Sequence, residues 1–114
     1  MKIVSIPFSL LALILPLLAQ AAPLDKAGLA AVEELGRLNG IALNCRYFDQ
    51  VRNIKQTLID RLPKRRELGQ IFEQKTDESF KAFIQSGSAC PSPATFAAEV
   101  DKATHTLAEI YPPN

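Results

Sequence analysis

Apolar residues recur at intervals of three and four from about residue 25 to residue 110, and polar residues fill the positions between them. Such a period places the apolar side chains on one face of an α-helix. The first predicted helix starts at Asp25, a suitable N-cap, and carries Val32, Leu35, Leu38, Ala42 and Cys45 on its apolar stripe. The second carries Tyr47, Val51, Ile54, Leu58 and Leu62, and Pro63 stops or bends it. Its phase nearly continues that of the first, so one long helix bent near Cys45 is the alternative. The third runs from about Lys64 to Ser86, with Leu68, Ile71, Phe72, Ser79, Phe80 and Phe83 inward and Gly87 as its stop. The fourth follows the loop "SGSACPSP". Ser92 is its N-cap, Pro93 its first residue, and Phe96, Val100, Ala103, Leu107 and Ile110 its apolar face.

No alternating run persists long enough for a strand. Helices with one apolar and one charged face pack economically as a small antiparallel bundle of three to four helices, so the expected class is all-α.

The first residues read differently. Lys2 is followed by the apolar run "IVSIPFSLLALILPLLA" and by Ala19-Gln20-Ala21. A basic start, an apolar centre and small residues at the cut describe a secretory signal peptide. Residues 1–21 are therefore expected to be removed, leaving residues 22–114 as a single helical domain. An uncleaved membrane anchor is the competing reading; Pro7 and Pro16 interrupt the run and speak against it. Lys2 leaves with the leader, so basic and acidic residues balance in the remainder and charge gives no sign of nucleic acid.

Export changes the meaning of the two cysteines. In an oxidising compartment Cys45 and Cys90 are expected to pair. A loop of about 45 residues closed by a disulfide is worth about 4 kcal/mol in the chain-entropy account. That rivals the whole net stability of a small domain.

Gly36 and Gly40 share one face of the first helix. Each costs about 1 kcal/mol relative to alanine there, so a close approach of a second helix is expected to compensate. Glu33, Glu34 and Arg37 exclude a lipid-buried glycine face. Asn39 beside them reads as solvated, or as a donor to a neighbouring helix end.

Candidate chemistry is sparse. His105 is the only histidine; Asp101 and Glu109 share its stripe, too few ligands for a zinc site. Neighbouring carboxylates at Glu33-Glu34 and Asp77-Glu78 point about 100° apart and do not converge. No nucleophile triad, phosphate loop or metal motif occurs, so no catalytic residue, metal or cofactor is expected. The most distinctive surface stretch is "RLPKRREL", where Arg61, Lys64, Arg65 and Arg66 form a basic corner between two helices and a candidate partner-binding site. Tyr47, Phe48 and Tyr111 read as core-completing aromatics, with partner anchoring as the alternative.

The segments "GRLNGIALNC", "PKRRELGQIFEQKT" and "ACP" resemble a pattern in small exported proteins encoded beside conjugation or type IV secretion genes. The resemblance spans Gly36 to Pro91 and carries no catalytic signature. It implies a non-enzymatic periplasmic accessory role, with an envelope or secretion-system protein as partner. In size, helicity and a single long-range disulfide the chain is also similar to small periplasmic acid-stress chaperones, whose motifs it lacks. An inhibitor or immunity protein needs only a complementary surface and is a third expectation.

Overall fold

A computed structural model describes residues 24–113. The signal-peptide assignment to residues 1–21 lies outside them. Four helices make up the described chain: α1 Lys26–Cys45, α2 Phe48–Arg61, α3 Arg66–Ser86 and α4 Pro93–Ile110. Among the described residues there is no strand, and the all-α bundle holds one disulfide, Cys45–Cys90.

The ends follow local chemistry. Asp25 caps α1, its carboxylate accepting from the Gly28 amide at 3.3 Å. Ser92 caps α4 in the same way through the Thr95 amide, with Pro93 at the first position. Gly87 closes α3 with φ +63°; its amide bonds the Ile84 carbonyl and the Ser88 amide bonds that of Phe83.

α1 and α2 are separate helices. Arg46 breaks between them in the left-handed conformation at φ 60°, and the Tyr47 amide reaches back to the Ala42 carbonyl at 2.9 Å. A non-glycine residue there is uncommon, so the surroundings must hold it. Both neighbours do so. Cys45 is bridged to Cys90, with Cα atoms 5.7 Å apart. Tyr47 donates its hydroxyl to the Pro91 carbonyl at 2.5 Å and packs its ring 5.4 Å from that of Phe96. Stapled and latched in this way, the end of α1 meets the start of α4.

α1 is the central element. α3 packs along one side of it, and α2 and α4 gather on the other. Val32, Leu35, Leu38 and Ala42 are fully buried, as are Ile54, Val100 and Leu107 from α2 and α4. Gly28, Gly36 and Gly40 line α1 at its close approaches. A methyl on Gly36 would sit 2.7 Å from Lys75 Cβ and 2.9 Å from the Phe72 carbonyl oxygen. On Gly40 it would sit 2.7 Å from both the Phe80 nitrogen and the Thr76 oxygen. Gly28 performs the same service for the Tyr111 ring.

Three expectations need correction. α3 starts at Arg66 rather than near Lys64, because Arg65 is extended and its amide bonds the Pro63 carbonyl at 2.8 Å. Phe80 is exposed, and Ser79 and Phe83 are only half-buried. α3 meets α1 but not α4, so only the narrow stripe of Leu68, Phe72 and Thr76 is covered. Asn39 is not solvated: it is buried and donates to Thr76 Oγ1 at 3.3 Å.

Candidate interaction surface

The glycine face is filled from within the chain. Besides the close backbones, Ser79 Oγ donates to the Arg37 carbonyl at 2.6 Å, and Asn44 Nδ2 donates to the Phe80 carbonyl at 3.0 Å. These bonds seal the seam, so Gly36 and Gly40 offer no surface to an outside partner.

Beside the seam lies a charged groove of about 460 Å³. Lys75 bridges Glu78 at 3.1 Å and Glu33 at 3.6 Å. Arg37 holds Glu34 through two hydrogen bonds, at 2.5 and 2.9 Å, and lies 3.8 Å from Glu99. The hydrogen bond and charge of Glu78 hold the Lys75 ammonium above its ordinary value, and Lys75 with Gln74 pulls Glu78 below its own. Glu34, chiefly by its hydrogen bond, raises Arg37. Each cation already has two carboxylates, so the cluster is a net acidic staple across α1, α3 and α4. The i,i+3 spacings Glu34–Arg37 and Lys75–Glu78 are legible in the sequence; the tertiary pairs to Glu33 and Glu99 are not.

His105 is exposed and its Nε2 lies 3.2 Å from Glu109 Oε1. Among the described residues no group of three or more His, Cys, Asp or Glu is placed to hold a metal. Tyr47 and Tyr111 pack against the core, whereas Phe48 is exposed.

The basic corner has a different electrostatic character. α2 ends at Arg61, Leu62 is extended before Pro63, and α3 begins three residues beyond Pro63. Arg61 and Lys64 line a cleft of about 540 Å³ shared with Ile110, Tyr111 and Pro112. Arg65 turns back to Glu67 at 3.2 Å. Among the described residues no ion pair involves Arg61, Lys64 or Arg66. The N-terminus of α3 has no side-chain cap. Arg65 and Arg66 stand at the start of α3, where the dipole is also positive and Glu67 in the first turn offsets part of it, while Arg61 in the last turn of α2 is favoured by that helix's dipole.

The basic corner therefore belongs to a disulfide-stapled all-α domain. Comparison with protein-family models, curated proteins and solved structures finds no match to this chain. Among the described residues no helix is long and apolar enough to cross a membrane.

Proposed function

We propose that this chain is a non-enzymatic accessory protein of the bacterial envelope, exported to the periplasm, that binds a partner through its basic corner. The observation that carries the reading is the contrast between two charged surfaces. The α1–α3 groove pairs each of its cations with carboxylates, while Arg61, Lys64 and Arg66 form no ion pair among the described residues, and Asp60 is the one acidic residue lining the cleft of Arg61 and Lys64. An excess of like charge at a helix junction is locally unfavourable, and a partner's acidic side chains relieve it. The disulfide is compatible with an oxidising compartment. The resemblance of Gly36 to Pro91 to small proteins encoded beside type IV secretion genes favours a secretion or conjugation complex as the destination.

The test is binding of the purified mature protein to solubilised envelope fractions, with and without Lys64→Ala, Arg65→Ala and Arg66→Ala combined. Loss of capture in the triple variant, with unfolding midpoint unchanged, supports the proposal. Equal capture by both proteins overturns it. A stress chaperone is the second reading, favoured by exposed Phe48, Ile59, Phe80 and Ile84. Failure to protect an acid-denatured client from aggregation rejects it.

A further inference from the structure

Among the described residues every lysine and arginine lies inside a helix except Arg46, Lys64 and Arg65. An endoprotease takes its substrate in an extended form, so a bond inside a helix is cut only after the helix opens. Arg46 is held on both sides. Cys45 is bonded to Cys90, and Tyr47 is latched to Pro91 and packed on Phe96.

Lys64 and Arg65 are held less firmly. Their connection joins α2 and α3, whose backbones do not approach one another. Leu62 and Arg65 are already extended, with ψ of 139° and 123°. The Arg65 amide bonds the Pro63 carbonyl at 2.8 Å, a three-residue turn with Lys64 exposed at its apex. α3 starts without a side-chain cap, and an uncapped helix end frays most easily. Arg65 is half-buried and turns to Glu67, so Lys64 is the cation presented outward. A specificity pocket with a carboxylate at its base selects such a side chain.

A cut at this point leaves α1 and α2 in one piece and α3 and α4 in the other. Cys45 lies in the first and Cys90 in the second. α1 packs on both α3 and α4, and α2 packs on α4, so the helix packing runs across the cut. The Tyr47–Phe96 ring pair and the Asn39–Thr76 hydrogen bond cross it as well. The connection at residues 87–92 contains no lysine or arginine and is closed to the same protease.

We infer that the α2–α3 connection is a cleavage site for an endoprotease selective for basic residues, cut between Lys64 and Arg65, and that the disulfide keeps the products as one folded two-chain protein. Water adds across the peptide bond. The Lys64 carbonyl carbon takes the oxygen and becomes a carboxylate, the Arg65 nitrogen becomes an amino group, and nothing is oxidised or reduced. The inference does not rest on the binding role proposed for the corner.

The probe is trypsin at a low ratio to the oxidised mature protein under native conditions, with intact masses taken before and after reduction. The expected first product is heavier by one water when unreduced and separates on reduction into residues 22–64 and 65–114. Its helical circular dichroism should equal that of the uncut protein. Lys64→Gln, Arg65→Gln and Arg66→Gln combined should be cut at least about tenfold more slowly, because the remaining sites need a helix or a latched turn to open. A first cut at any other bond, or an equal rate for the variant, overturns the site. Pieces that separate without reduction, or loss of helical signal on cutting, overturn the two-chain product. The readout is cleavage rather than capture, so either failure leaves the proposed function standing.

Discussion

At the scale of single residues, the glycines separate by what surrounds them. Gly40→Ala would place a methyl 2.7 Å from two backbone atoms of α3, which cannot yield without moving the helix. Overpacking of this kind typically costs about 1–3 kcal/mol and outweighs the helix-propensity gain. The urea midpoint of Gly40→Ala should fall. Gly69→Ala has open space at the same atom, so it should gain up to about 1 kcal/mol by the same measurement. Opposite signs for one substitution type on two helices are the expected result. Asn39 tests the seam differently. Thr76→Val removes the hydroxyl that accepts from Asn39 Nδ2, and Asn39 Oδ1 already has no partner. Leaving a buried amide unsatisfied costs about 1–3 kcal/mol, read as a lower unfolding free energy.

Between elements, the charged staple joining α1 and α3 sets a pH response. The folded protein holds Glu78 below its ordinary value, so its contribution is present at neutral pH and is lost as pH falls through the depressed value. Lys75 is held above its ordinary value, so its contribution is lost only as pH rises through the raised value. Both groups face solvent, so each share is small. Glu78→Gln should lower the neutral-pH urea midpoint slightly and make its decline on acidification shallower. An unchanged acid slope would show that the pair carries no linkage. Helix identity and most boundaries were legible because caps and apolar spacing are local: Asp25, Ser92, Pro63 and Gly87 act within a turn of where they stand. The burial of α3 was not. Periodicity counts apolar residues per face, but which face is covered depends on how many neighbours a helix has, and α3 has one principal neighbour. Phe80 therefore stays exposed despite lying on an apolar stripe. Thr76 took the buried place because a small polar residue fits between Gly40 and Asn39.

For the whole molecule, the disulfide governs stability by closing a loop that spans α2, α3 and their connections. Its two cysteines are 45 positions apart in sequence. Cys45→Ala with Cys90→Ala should lower the unfolding free energy by about 4 kcal/mol, measured by urea titration of the oxidised parent and the variant. The Tyr47 latch to Pro91 and Phe96 remains in the variant. Amide exchange should therefore accelerate first around residues 88–92, while the α1–α3 seam keeps its protection.

The sequence by itself determined the helical spans, the stops at Pro63 and Gly87 and the candidate pairing of Cys45 with Cys90, since each depends on propensities and spacings written into short stretches of chain; the break between α1 and α2 at Arg46 it left open. It also marked the basic corner, because charge is visible without coordinates. Only tertiary structure decided which helix fills Gly36 and Gly40, which cations find carboxylates, and that Gly69 faces empty space. Those are properties of distances between residues remote in the chain, and such distances exist only once the helices have packed.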